Sequence, residues 1–157
     1  MRVLVLLPLL LGAALAADVS YGNSRFGYVV NVPSELTAGR PSDNGGGLSW
    51  SSPDGQVQVT AWGGNGPGVL GRGTAAQWAD WTLRADVRAG ARVTYRRLLP
   101  GAFVQSGYLR DGRIYYQKVL VRAGMEAGVR LTYPVSQRAV WDPRTGQIAG
   151  SLRWAPR

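Results

Sequence analysis

Tyr108, Arg110, Arg113 and Tyr115 flank an Asp111-Gly112 turn, and Arg130 lies a short way downstream on the strand expected beside them. Tyrosine offers a flat apolar surface with a polar tip, and arginine offers planar contact with carboxylate or phosphate. The five together suit binding of an acidic or polar partner. Bond-breaking chemistry has fewer carriers, because all 157 residues include neither histidine nor cysteine. Ser-His-Asp and Cys-His arrangements are therefore excluded, and zinc loses its commonest nitrogen and sulfur ligands.

What remains for acid-base work is nine carboxylates, seven tyrosines and the single lysine, Lys118. Glycoside hydrolysis would need two carboxylates facing each other in a cleft. Asp54 and Asp111 fall in expected turns, Asp80 and Asp86 on an expected helix and Asp142 at an expected cap, while Glu35, Asp43 and Glu126 have no evident partner. A carboxylate-based hydrolase is thus only the second alternative. No acidic cluster has calcium-loop spacing, so no metal site is expected. Gly66 to Gly71 spells a formal G-x-G-x-x-G, but the surrounding pattern is antiparallel hairpins and no acidic residue closes the following strand. Arg72 and Gly73 also break a Walker loop. No cofactor is expected.

Net charge is +9, carried by seventeen arginines and one lysine. Such a balance favours polyanions, so an anion-binding protein for nucleic acid or acidic polymer is the first alternative function. The arginines are scattered and never form a run, which is the pattern of a solvated surface.

These side chains need a scaffold, and the chain announces an α+β one. Arg25 to Pro33 is β-branched and aromatic and ends at proline, predicting a strand. Leu48 to Ser52 and Gln56 to Trp62 flank Pro53-Asp54-Gly55 and predict a hairpin, with Val57, Val59 and Ala61 on one face. Gly63 to Gly73 is a glycine-rich loop. Thr74 with Gln77 makes a capping box, and Gly90 marks the stop of the helix that follows. Its stripe is Ala75, Trp78, Thr82 and Ala85 with Trp81 beside it, so both tryptophans are expected to dock on a sheet.

Beyond Ala91 the chain predicts a meander. A two-residue turn at Asp111-Gly112 pairs Tyr108 with Tyr115 and Phe103 with Leu120; a second at Ala123-Gly124 pairs Lys118 with Val129 and Ile114 with Tyr133. One face then collects Phe103, Leu109, Ile114, Tyr116, Leu120, Val129, Leu131 and Tyr133 as core. The other collects Tyr108, Tyr115, Gln117, Val119 and Arg130, a mixed face either covered by a C-terminal helix or left open as a platform. That helix is expected to cap at Asp142 with Pro143 first, after a short helical stretch from Val135 to Trp141, with Ile148 and Leu152 on one side. Lys118 falls on the apolar face beside Gln105, where it is expected to snorkel to an edge.

Met1 to Ala16 has the form of a secretory signal: Arg2, an apolar run from Val3 to Leu11, and Ala14-Leu15-Ala16 before cleavage between Ala16 and Ala17. The expected product is one domain, residues 17–157, periplasmic or extracellular, without transmembrane segment or lipid-bearing cysteine.

Tyr21-Gly-Asn-Ser-Arg-Phe-Gly-Tyr-Val-Val-Asn-Val-Pro33 resembles the opening of exported bacterial proteins of the PsbP-like superfamily, which includes the Ran-binding Mog-type proteins. Ser106-Gly107-Tyr108, Tyr115-Tyr116-Gln117-Lys118 and Tyr133-Pro134 before a final helix are similar to members of the same group. The resemblance implies an α/β/α sandwich around an antiparallel sheet of about six to seven strands. It implies binding or assembly work and brings no catalytic residues. The function expected is an exported, soluble, non-enzymatic domain that binds a protein or cell-envelope component, with Tyr108, Arg110, Arg113, Tyr115 and Arg130 as its ligand-binding residues.

Overall fold

A computed structural model describes residues 17–66 and 73–156; Met1 to Ala16 and most of the glycine-rich motif lie outside the described residues. Seven strands form an antiparallel sheet in the order β3(Thr37–Ala38), β4(Gly47–Ser51), β5(Gln58–Asn65), β9(Met125–Tyr133), β8(Ile114–Arg122), β7(Ala102–Tyr108), β6(Arg92–Leu99). A second, three-stranded sheet runs β1(Asp18–Asn23), β2(Tyr28–Pro33), β10(Arg153–Trp154). Helix α1(Ala75–Arg88) packs on one face of the large sheet. Helix α2(Arg138–Ser151) and the small sheet pack on the other. This is the α+β class that the pattern predicts, in the α/β/α sandwich arrangement that the resemblance implies.

The strand expected over Arg25 to Pro33 is shorter, because Arg25 to Gly27 form a turn. Asn23 Oδ1 accepts the Phe26 N–H at 3.0 Å, and the Gly27 N–H bonds the Asn23 carbonyl at 2.9 Å. That turn joins β1 to β2 and places both in the small sheet. β5 also runs on to Asn65, into the expected loop.

The 48–62 hairpin forms with Trp50 opposite Val59. Val57, Val59 and Ala61 are buried in the main core with Tyr28, Val30, Leu131, Tyr133, Trp141 and Ile148. Alternation decides which residues enter it, since successive side chains point to opposite faces.

Helix α1 begins as its capping box requires. Thr74 Oγ1 accepts the Gln77 N–H at 3.3 Å, and Gln77 Oε1 accepts the Thr74 N–H at 2.9 Å. Gly90 follows with φ +87°. Trp78 and Ala79 are buried against Phe103 and Val119 in a second, smaller core. Trp81, expected to dock, instead stands 49% exposed. Gly66 and Gly73 find their reason here: a Cβ on either would lie 1.3 Å and 2.1 Å from atoms of the Trp78 ring.

The second hairpin of the meander has the predicted register, with Lys118 opposite Val129 and Ile114 opposite Tyr133. The first is shifted by one residue. The Gly112 N–H bonds the Leu109 carbonyl at 2.9 Å and the Leu109 N–H bonds the Arg113 carbonyl at 2.8 Å, so the loop holds three residues, Arg110 to Gly112, with Gly112 at φ +85°. Tyr108 therefore faces Ile114, and Phe103 faces Val119. Every β7 side chain exchanges faces relative to the expectation.

The C-terminal expectation also changes. A single 3₁₀ turn at Val135–Gln137 runs into α2, which starts at Arg138 and continues through Pro143. Asp142 is not a cap; it accepts the Tyr133 hydroxyl at 2.7 Å and Arg138 Nε at 3.2 Å. Burial of Trp141, Thr145, Ile148 and Ala149 along one side holds the helix across the proline. Ile148 and Leu152 are both buried, as their spacing predicts. No helix among the described residues is long and apolar enough to cross a membrane.

Candidate functional site

The shifted register separates the five candidate residues. Tyr108 belongs to the face that carries α2; Tyr115 and Arg130 belong to the face that carries α1. The strand face of Tyr115 and Arg130 is thus covered by α1, neither by a C-terminal helix nor left open as a platform, and Tyr115 is wholly buried beneath it. Arg113 is tied locally to Asp111 through Nε at 2.8 Å, and Arg110 is exposed with its stem against Gly90.

Around Tyr115 lies a buried polar network that the sequence pattern does not reveal. Asp86, on the inner side of α1, accepts Gln105 Nε2 at 2.7 Å and Arg130 Nη1 at 3.0 Å, with Gln117 Nε2 at 3.5 Å. Gln105 Nε2 also reaches the Tyr115 hydroxyl at 3.2 Å, and the Arg130 guanidinium lies 4.4 Å from the Tyr115 ring centroid. Burial first, and the Asp86 carboxylate second, push the Tyr115 hydroxyl up from its ordinary 10.0 to about 12. Apart from Gln105 Oε1, which is buried without a hydrogen-bond partner, these groups bond one another and hold α1 to the sheet. The signal available was Asp86 itself, an acidic residue on the side of α1 that otherwise buries Trp78 and Ala79.

Tyr108 lies on a different surface. On the α2 side, residues line up across strands in rows: Arg92, Tyr108, Ile114, Tyr133; then Tyr95, Ser106, Tyr116, Leu131; then Arg97, Val104, Lys118, Val129. Each row starts exposed at β6 and ends buried at β9, where α2 and β2 cover the sheet. Among the described residues, no helix or strand covers the half nearest β6 in this way. There the Arg92 guanidinium stacks 4.7 Å from the Tyr108 ring centroid. Burial and then the neighbouring Tyr95 raise the Tyr116 hydroxyl, keeping it a neutral hydrogen-bonding group.

Lys118 sits in this region, with Gln105 on the opposite face. Its Nζ donates to the Ala149 carbonyl at 3.0 Å, so it is engaged with α2, and burial lowers its pKa. Nothing on this half-face is a poised nucleophile. Flat rings, hydroxyls and guanidinium groups make a binding surface.

Several other carboxylates are engaged elsewhere. Glu35 pairs with Arg144 and Asp80 with Arg96, partners the sequence did not disclose. Asp54 accepts Ser52 Oγ and the Gln56 N–H, and these hold its carboxyl below the usual range. Glu126 lines a cleft of about 480 Å³ with Arg40, Asn44, Thr60 and Trp62. Among the described residues no three acidic groups gather as a metal site would require.

No protein-family model matches the sequence, and none of the curated proteins matches it. Similarity appears in three dimensions. The solution structure of cyanobacterial PsbP (CyanoP) from Synechocystis sp. PCC 6803 superposes with TM-score 0.67 at 14% identity, over 91% of this chain and 95% of that one. The crystal structure of the Saccharomyces cerevisiae Ran-binding protein Mog1p superposes with TM-score 0.56 at 6% identity, over 88% and 96%. The fold is the PsbP-like, Mog-type fold that the motifs resemble.

Proposed function

We propose that this chain is a non-catalytic binding domain whose partner is a protein, and that it binds through the uncovered half of its large sheet. The observation that carries this reading is the set of rows beginning at Arg92, Tyr95 and Arg97, where tyrosine and arginine are presented without a covering helix. Aromatic and arginine side chains are the types enriched where proteins bury surface against each other. The two structural neighbours add support of a general kind, one being described as Ran-binding. Met1 to Ala16 supports export of the domain before it meets that partner.

Site-specific photo-crosslinking in the source cell tests the proposal. A photoreactive residue at Tyr95 or Tyr116 is expected to give one discrete protein adduct, whereas one at Gln147, on exposed α2, gives none. Equal labelling at the three positions, or none at any, would overturn it. Adducts to nucleic acid or acidic polymer, abolished steeply by salt, would assign the surface to polyanions.

A further inference from the structure

The two edges of the large sheet differ. One ends in β3, only two residues long; the other ends in β6, eight residues long, whose single strand neighbour among the described residues is β7. A strand with one neighbour leaves half of its backbone N–H and C=O groups unpaired by the sheet, which is a template for another strand. Proteins usually blunt such edges. Here the blunting is partial: the register shift between Val93 and Tyr95 disrupts the start of β6 and leaves Tyr95–Leu99 regular against Ser106 to Ala102. Five residues span about 17 Å, enough for a short strand to pair.

The side chains beside this edge are apolar where water would disfavour them and basic where they could select. Tyr95 is 48% and Leu98 52% exposed on β6, and Trp81 49% and Val87 54% exposed on α1, which packs on β6. Arg92 and Arg97 stand on the Tyr95 side of the strand. On the α1 side, Arg96 is paired with Asp80. β6 itself has three arginines and no acid.

We infer that β6 receives an extended acidic segment of the protein partner as an eighth strand, with carboxylates toward Arg92 and Arg97 and apolar residues toward Leu98 and Trp81. The inference rests on the protein-binding reading above and names how that partner is held. Charge disfavours the obvious rival, a second copy of this chain: β6 carries three arginines and no acid, so self-pairing brings two basic strands together, and a register centred on Arg97 would place like charges directly opposite. Main-chain hydrogen bonds would supply affinity and the alternating side chains specificity.

The test uses a synthetic peptide alternating glutamate with valine, and the same composition with its glutamates in one block. Amide exchange of the protein alone is compared with exchange in each peptide. The alternating peptide is expected to slow exchange in Tyr95–Leu99, and Arg97→Glu to weaken its binding about tenfold. A Leu98→Ser variant, which leaves charge unchanged, weakens it too while the fold persists. Binding that protects other amides and spares β6 overturns the edge inference and leaves the crosslinking result standing. Equal binding by the blocked peptide overturns it in favour of simple charge attraction, and β6 protection that appears with protein concentration alone overturns it in favour of self-pairing. If crosslinking fails as well, the protein-binding reading falls with it.

Discussion

Asp86 shows how much one buried side chain can organise. Its carboxylate receives Gln105, Gln117 and Arg130, so Asp86→Ala would strand two buried amides and a partly buried guanidinium. Removing one partner from such a set costs about 3 kcal/mol, and urea unfolding at neutral pH is expected to show a loss of that order. Tyr115 and Tyr133 give this core a pH signature, since burial pushes both hydroxyls up to about 12. An unfolded tyrosine ionises near its ordinary 10.0, so between about pH 10 and 12 the unfolded chain has released protons that the folded chain keeps. Stability is therefore full below pH 10 and falls as pH rises through that window. Urea midpoints measured from pH 8 to 12 are expected to drop above about 10, and less steeply in Tyr115→Phe. An unchanged slope in that variant would remove Tyr115 from the account. Beyond the inward position of Asp86, the network was not legible in the sequence, because hydrogen-bond partners 19, 31 and 44 residues apart meet only through strand register and helix docking.

At the scale of elements, local signals held where local chemistry decides. The α1 capping box is formed by residues three apart, and Thr74→Ala is expected to lower stability by about 1 kcal/mol, read as a shift in denaturant midpoint. The Ala123-Gly124 turn was legible for the same reason. Yet Ala123 is the one non-glycine residue at positive φ among those described, at φ +47°. Asparagine tolerates that region better, so Ala123→Asn is expected to stabilise by about 1 kcal/mol, and a destabilised variant would contradict the turn geometry. Asp111-Gly112 was misleading because the same dipeptide also serves a three-residue loop, with glycine alone at positive φ. A slip of one residue sent Tyr108 and Tyr115 to opposite faces and dissolved the five-residue constellation. Pro143 misled for another reason: its ring favours a first helical position, but burial of Trp141 on one side of it and Ile148 on the other carries the helix through.

For the whole molecule, the proposed export rests on the sequence of Met1 to Ala16. The protein released from its source cell is expected to begin at Ala17 by mass spectrometry; one that begins at Met1 outside the cytoplasm would overturn the signal reading. By itself the sequence determined the chemistry withheld from this protein, through the lack of histidine and cysteine, and it determined the α+β class, the start of α1 and the register of the β8–β9 hairpin. These depend on residue types or on neighbours a few positions apart. Only the tertiary structure decided which face each tyrosine occupies, that α1 and not α2 covers Tyr115, and that β6 stands as a long uncovered edge. Strand order and sheet layering bring together residues distant in the chain, and a period of two lets a single-residue slip reverse every face.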